Sequence, residues 1–489
     1  MTVRNGRLSV WLCFLASALI YGLMALWFPL LPHAGRAPAG DIRTFAPTPV
    51  GGLIYALLLI ALFVLLVAAA RRAEQYGVGA RPLPIILAGS FLLALPLLFA
   101  YPINATDTFS YFIRGRITGV YGDNPYVATP ATFIGDPFMP LAGEWAGDTS
   151  PYGPLWEIVA AGTIGPAREN LAAGVMLLKG LAVVCFLMTG VFIWLSLPEG
   201  SLRTACLLLW AWNPALLLTF ALNGHNDALM LAWLTAGYWA GRRGRRTVGV
   251  WLMVMAALTK PIALLALPFF FLEFLRETPP GRPRMIFITG ALGGAALLAC
   301  LAFAPFAGSD DVWRAPVELT MRLLREATGG AGFSPAVWVF MVLGGRVSIE
   351  TIGAVLRVIF AALGALLLWR AWRGRSALRG TADIFFAYVA TALNFRIWYA
   401  VWPFPWLLLD AATGARDEQA QRRAGYRLRV GLWFLLTSQL SVVFYGHLRV
   451  FALGGDQALA HLLGVPFVFG LPWLLALLPI RLSRPLHAA

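Results

Sequence analysis

The sequence predicts an all-α, polytopic membrane helix bundle, and three observations predict it. Hydrophobic residues make up 59% of the 489 residues against 12% charged, more apolar surface than a water-soluble globule covers with polar groups. Apolar runs of spanning length, roughly 17 to 25 residues for about 30 Å of hydrocarbon, recur from Leu8 to Ile480 between short polar stretches. The arginines gather in alternate loops. Only helices fit such runs, because lipid offers no water to backbone groups left unpaired.

The formal charge of +15 raises nucleic acid as a partner, and the placement of the charges dismisses it. Arg71 and Arg72, Arg242 to Arg246, Arg276 to Arg284, Arg370 to Arg379, Arg416 to Arg429 and Arg481 to Arg484 punctuate successive hairpins, which is the positive-inside bias. With those loops and both termini cytoplasmic, the chain is a multi-pass protein of the plasma or inner membrane with about twelve to fourteen crossings. The fourteen runs are 8–31, 51–70, 83–102, 171–197, 204–222, 226–240, 247–259, 261–275, 285–307, 350–369, 382–395, 397–411, 430–446 and 463–480. The first follows Arg4 and Arg7 and is too long for a signal peptide, although Ala37 and Ala39 stand where cleavage would fall, so it reads as a retained helix. Those at 226–240, 247–259 and 397–411 are short enough to require flanking residues, bilayer thinning or burial among other helices. Cys13, Cys185, Cys206 and Cys300 lie inside apolar runs without paired or metal-like spacing and read as small core residues. No internal repeat, low-complexity tract or separate soluble domain interrupts the chain, which reads as one integral membrane unit, 1–489.

Two long segments then fall outside, 103–170 and 308–349. Each carries an apolar piece too short to cross, Tyr152 to Ile164 and Pro335 to Leu343, and these read as interfacial or re-entrant helices. The first segment interleaves Asp107, Asp123, Asp136, Glu144, Asp148 and Glu157 with Tyr101, Tyr111, Tyr121, Tyr126, Trp145, Tyr152 and Trp156. That is the composition expected where a sugar is held at a membrane surface.

Asp107 follows the third crossing in Y-P-I-N-A-T-D-T-F-S-Y, at the depth of lipid-borne phosphates. A carboxylate there can accept the proton of a hydroxyl attacking an anomeric carbon; an isolated Asp would otherwise be read as a helix cap beside Thr106 and Thr108. Tyr111 and Arg114 follow at i+4 and i+7 on the same helical face. G-D-N-P-Y, with Asn124 and Tyr126, and S-P-Y-G-P-L, with Tyr152, are turns that present an aromatic ring, or plain loop punctuation when taken singly. N-G-H-N-D-A-L-M at 223–230 sets Asn223, His225, Asn226 and Asp227 at the bilayer boundary, where ionisable groups are costly and functional by default. A capped tight turn, with Asn223-Gly224 as the bend and Asn226 or Asp227 as the cap, accounts for part of it. One His and one Asp without further ligand spacing leave a divalent metal unsupported, and no cofactor is called for. Lys260 in T-K-P, and Arg396 beside Asn394, Trp398 and Tyr399, place cations on the outer side, where they can snorkel or bind phosphate. Asp383 and Asp410 read as boundary residues or helix caps.

Asp107 with F-S-Y, then N-P-Y, S-P-Y-G-P-L, H-N-D-A-L-M and T-K-P, resemble in order the bacterial polyprenol-phosphate-mannose-dependent α-1,6-mannosyltransferases, members of the GT-C superfamily of membrane glycosyltransferases. The resemblance spans roughly residues 100–270 and extends to R-I-W-Y-A-V-W-P at 396–403. It implies a polyprenyl-phosphate sugar donor, a glycan or glycolipid acceptor, an outward-facing cavity amid membrane lipids, inversion by direct displacement, and Asp107 as the base. Tyr111, Arg114, Asn124, Tyr126, Tyr152, His225, Asn226, Asp227, Lys260 and Arg396 are read from their residue types and positions as substrate-binding residues, Lys260 and Arg396 from their charge and side of the membrane. Many GT-C enzymes carry two adjacent acidic residues in that loop; here Thr108 follows Asp107, leaving Asp123, Asp136 or Glu157 for a second carboxylate.

A secondary transporter or lipid-carrier flippase is the alternative reading, with Lys179, Lys260, Arg357 and Asp383 along a pathway. Such proteins interrupt paired helices near mid-membrane, whereas here the polar residues concentrate in one large loop.

Overall fold

The computed structural model describes residues 3–36, 39–167, 169–308, 312–328, 332–413 and 417–478. Ala37, Arg416, Arg481 and Arg484, the end of the last predicted crossing, and residues 309–311 and 329–331 of the second outer segment lie outside the described residues. The protein is all-α: among the described residues, extended pairing is limited to one isolated bridge between Pro29 and Ala100.

In chain order the first helices are α1 (Val3–Trp27), α2 (Pro49–Tyr76), α3 (Pro82–Leu98), α4 (Asp107–Gly119), α5 (Pro154–Ile164) and α6 (Leu171–Ser196). Then come α7 (Ser201–Ala211), α8 (Pro214–Leu222), α9 (Asp227–Arg242), α10 (Arg246–Thr259), α11 (Leu267–Glu277) and α12 (Arg282–Phe303). The remainder are α13 (Arg314–Thr328), α14 (Pro335–Val342), α15 (Ile349–Trp372), α16 (Ala377–Thr391), α17 (Phe404–Thr413), α18 (Glu418–Val443) and α19 (Gln457–Val465).

Among the described residues, seven helices are long and apolar enough to cross a bilayer: α1, α2, α6, α12, α15, and α18 and α19 with the turns that carry them to Phe451 and Leu475. α7 and α8 make an eighth if joined, bent by 40°. The bend has a local cause, since Asn213 precedes Pro214 and its side chain accepts from Ala215 N at 3.0 Å, ending one helix and capping the next. The other six predicted crossings are the shorter helices α3, α9, α10, α11, α16 and α17, of 10 to 17 residues. Two of them, α9 and α17, are buried along most of their length against other helices, so bilayer thickness does not set their length. The pieces expected to lie at the interface are the helices α5 and α14.

Helices α12 and α15 expose long apolar faces, including Met285, Leu292, Leu297 and Leu301 on the first and Val355 and Val358 on the second, as lipid-facing helices do. The core lies between α2, α6 to α10, α17 and α18, around Trp210, Trp402, Trp406, Phe63 and Tyr55, all fully buried. α9 and α10 form the hairpin that matters most for the site: Gly237 and Gly249 face each other so closely that a side-chain carbon on either would meet the other's carbonyl oxygen at 2.7 Å. α9 runs from Asp227 to Arg242, about 24 Å at 1.5 Å per residue, and α10 returns to Lys260, so Asp227 and Lys260 share one end and the arginines the other.

Candidate active site

Five chain segments meet at that end of the bundle. α4 starts at Asp107, whose charge suits a helix N-terminus, yet among the described residues the side chain caps nothing and its Oδ2 has no hydrogen-bond partner. The 223–227 turn closes against α4: Asn104 N donates to Asn223 Oδ1 at 3.4 Å, and the Thr108 hydroxyl donates to the Asn223 carbonyl. Gly224 makes the bend at φ +64°, and a side-chain carbon there would lie 2.8 Å from Thr108 Oγ1 and 2.9 Å from Lys179 Cγ, so both the backbone and the space demand glycine. Asn226 occupies the N-cap position of α9 but makes no cap bond. Its Oδ1 accepts instead from Tyr111 OH at 3.2 Å and Lys260 Nζ at 3.3 Å. Two side chains of capping type at two helix starts are thus turned toward one another's segment.

Lys260 reaches them because Pro261 follows it. The residue before proline is pushed into extended backbone, and Lys260 adopts φ −146°, ψ 115°, ending α10 and directing Nζ to Asp227 Oδ2 at 2.8 Å. Trp402, from the turn before α17, donates Nε1–H to Asp227 Oδ1 at 2.5 Å. Asp227 is fully buried, and these two bonds are what make a buried carboxylate tolerable. His225 Nδ1 lies 3.5 Å from Asp107 Oδ2 and 3.9 Å from Asp227 Oδ2. Its ring packs on Trp398, centroids 4.2 Å apart at 31°, and among the described residues neither ring nitrogen has a hydrogen-bond partner. Burial holds the imidazole below its usual value; Asp107 and Asp227 pull it back up and Lys260 adds to the fall. The result is an imidazole of lowered basicity set between two carboxylates.

Aromatic rings wall the cluster. Tyr111 meets Tyr152 and Trp156 edge-to-face, at 5.2 and 4.9 Å, and Lys260 Nζ stands 5.9 Å from the Tyr152 and Trp402 ring centres. The P-Y-G-P turn is docked on the end of α10, where Gly153 N donates to Thr259 O at 3.1 Å. A side-chain carbon at Gly153 would fall 2.1 Å from Leu258 O, so only glycine allows that approach. The Arg396 guanidinium lies 5.9 Å over the Trp145 ring and has no carboxylate partner among the described residues.

The structure therefore brings together Asp107, Tyr111, Tyr152, His225, Asn226, Asp227 and Lys260, with Arg396 over Trp145 nearby. Three of the expected residues it engages with the loop behind Tyr152. Arg114 is buried and donates to Ser110 Oγ at 3.1 Å and to the Asp148 carbonyl at 3.4 Å. Asn124 donates to the Phe306 carbonyl at 2.9 Å, and the Tyr126 hydroxyl to the Tyr152 carbonyl at 3.0 Å, so both support the loop that carries Tyr152. Of the candidates for a second carboxylate, Asp136 pairs with Arg116 at 2.8 Å, Asp123 accepts from Asn124 N at 2.8 Å, and Glu157 accepts from Ser150. The carboxylate that shares His225 with Asp107 is Asp227, which sequence reading took for a binding residue. Trp402 was passed over, although it stands within the quoted R-I-W-Y-A-V-W-P, because nothing in that string shows that its indole points at a carboxylate 175 residues away. Lys179, assigned to a transport pathway in the alternative reading, is wholly engaged in capping α3, donating to the carbonyls of Leu97, Leu98 and Ala100 at 2.7, 3.0 and 2.6 Å. Among the described residues no three His, Cys, Asp or Glu side chains are grouped as metal ligands.

Comparison with known proteins gives the family. Residues 10–276 match the family described as alpha-(1->6)-mannopyranosyltransferase, N-terminal domain. The chain belongs to this family. Alpha-(1->6)-mannopyranosyltransferase A of Mycobacterium tuberculosis is 27% identical over 362 residues, 70% of this chain and 67% of that protein. The protein of the same name from Corynebacterium glutamicum is 27% identical over 180 residues, 37% of this chain and 36% of its own. A probable alpha-(1->6)-mannopyranosyltransferase of Mycolicibacterium smegmatis is 32% identical over 160 residues, 31% and 28% of the two chains. The chain thus spans two thirds of the first relative and about a third of the other two. No solved structure matches. The matched stretch of the mannopyranosyltransferase family holds Asp107, His225, Asp227 and Lys260, while Arg396, Trp398 and Trp402 lie beyond it.

Proposed function

We propose that the protein transfers a hexose, mannose in the first instance, from a polyprenyl-phosphate donor to a glycan or glycolipid acceptor on the extracytoplasmic side, with inversion and with Asp107 as general base. The observation that carries this reading is the Asp107 carboxylate: 18% exposed at the start of α4, 3.5 Å from His225, with an oxygen that no group among the described residues satisfies, in a cluster that also holds Tyr111, Tyr152 and Lys260. An acceptor hydroxyl attacks the anomeric carbon, the bond from that carbon to the phosphate oxygen breaks with its electron pair leaving on the phosphate, and the hydroxyl proton passes to Asp107. His225, within 3.5 Å of Asp107, supports the carboxylate by turning Nδ1–H toward it in the working complex, where such contacts tighten. Arg396, with no carboxylate of its own, is the cation best placed to meet the departing phosphate; Lys260 gives two donors to Asn226 and Asp227 and keeps one for a phosphate oxygen. An α product formed by one displacement requires a β-linked donor.

The test is transfer of labelled mannose from synthetic polyprenyl phospho-β-mannose in membranes holding equal amounts of wild type or Asp107→Asn. Transfer by the wild type that collapses in the variant supports the reading. Normal transfer by the variant removes Asp107 as base, and transfer from the α-linked donor removes inversion.

A further inference from the structure

Helix α13 has two faces that point to two different surroundings. Trp313, Val317, Met321 and Leu324, 69, 54, 50 and 56% exposed, recur at the spacing of one helical face and form an apolar stripe. On the opposite face Ala315 and Leu319 pack with Tyr126 and Phe306, and Arg322 is buried, with Nη1 2.5 Å from Asp148 Oδ1 and Nη2 2.9 Å from Glu326 Oε1. Arg314 and Arg325 fall beside Met321 on the helical wheel, along one edge of the stripe.

The place of α13 in the fold decides what covers that stripe. The spanning helix that contains α12 ends at Phe306, and Phe306 is in the cluster that holds Ala315 and Leu319. α13 is therefore pinned to the end of a membrane span and held at the depth of the bilayer boundary. The apolar belt of α12, through Leu297 and Leu301, leads up to it. A helix at that depth with a leading tryptophan, an apolar face and arginines along one edge of it has the chemistry of an interfacial helix.

We propose that α13 docks on lipid: its Trp313, Val317, Met321 and Leu324 face lies in the headgroup and acyl boundary of the leaflet on the Asp107 side, while Arg322 on its other face holds the 103–170 segment at Asp148. Asp148 in turn accepts from Arg114 through its carbonyl at 3.4 Å, so the seat in the lipid fixes the height of the loop that carries Tyr152. The inference rests on the membrane-spanning helices and holds whatever reaction the site performs.

The experiment places a bimane label on Val317→Cys, Met321→Cys, Leu324→Cys and Glu318→Cys in turn, with the labelled parent chain as background for its four native cysteines. Each full-length variant is checked for a monodisperse profile and placed in nanodiscs of phosphatidylcholine with a minority of phosphatidylglycerol. Brominated acyl chains quench at 317, 321 and 324 at least several-fold more than at 318, and aqueous iodide gives the reverse order. Iodide reaching all four positions alike overturns the proposal in favour of a helix standing in water. Protection of 317, 321 and 324 from both quenchers overturns it in favour of a protein cover, a second copy of the chain included.

Discussion

The two ends of the α9–α10 hairpin hold the same kinds of side chain in opposite conditions. At the arginine-rich end, buried Asp410 lies 2.9 Å from Arg379 Nε, and Asp383 sits between Arg375 and Arg427, the latter at 2.5 Å. There Glu277 meets Arg242 at 3.3 Å and Arg246 at 3.5 Å, and Glu273 accepts from Ala377 N at 2.7 Å. Each of these four carboxylates is answered by a neighbour and ties two helices together. At the other end Asp107 Oδ2, both nitrogens of His225 and the Asn226 amide nitrogen are buried without a hydrogen bond among the described residues. Buried polar groups left open cost stability; the arginine-rich end leaves cation nitrogens open, Arg246 Nε, Arg375 Nη1 and Arg427 Nε, whereas the Asp107 end leaves open a carboxylate oxygen and a whole imidazole, as the proposed substrate site would.

Exchanging a carboxylate for its amide at each end tests this contrast most strongly. Asp107→Asn should lower transfer by about 10²–10⁴-fold, the usual contribution of a general base. It should move thermal unfolding in detergent by no more than ~0.5 kcal/mol, because no hydrogen bond is lost. Asp410→Asn should do the reverse, costing about 1–3 kcal/mol by weakening the pairing with Arg379 while transfer per folded molecule stays at wild-type level. Asp227→Asn should do both, since Asp227 is at once the buried partner of Lys260 and Trp402 and the neighbour of His225. The contrast fails if Asp107→Asn unfolds the protein or if Asp410→Asn abolishes transfer in molecules that remain folded.

The sequence made the helical class legible because lipid imposes a single rule, satisfaction of the backbone within each segment. It made Asp107, His225 to Asp227 and Lys260 legible because charged residues at the ends of apolar runs are rare enough to require a reason. The number of spanning helices was harder to read, since α9 and α17 are apolar through burial in protein rather than in lipid, and hydropathy does not distinguish the two. The partnership of Trp402 with Asp227, and the turning of Arg114 toward the loop, depend on how distant segments dock, which no local pattern records. Asn124 and Tyr126 show the same limit: a turn that presents an aromatic looks alike whether the ring meets a substrate or, as here, the carbonyl behind Tyr152.

A smaller effect is expected at Glu157, which belongs to neither extreme. It is buried beside the cluster and accepts from Ser150, and burial raises its carboxyl to about 7, with the Ser150 hydroxyl and Arg114 opposing. The unfolded chain ionises this group near its ordinary value of 4.5. Between those values the native state binds the extra proton, so stability is full below the ordinary carboxylate range and falls as pH rises toward about 7. The fall should amount to at most ~3 kcal/mol. Glu157→Gln should flatten that slope in thermal unfolding followed across pH; a slope unchanged in the variant would show that another group titrates there.

The smallest effect is expected at Trp398, and it sharpens the contrast because it touches no charge. Its ring fixes the plane of His225 at 4.2 Å without a hydrogen bond, and an aromatic pair of this kind is worth about 0.5–1.5 kcal/mol. Trp398→Leu should therefore lower kcat by roughly 2–10-fold with KM for the lipid donor little changed, since the imidazole rather than the donor loses its support, and Trp398→Phe should restore most of it. If instead KM rises while kcat holds, Trp398 contacts the sugar directly, and the open nitrogens of His225 belong to the binding of substrate rather than to the support of Asp107.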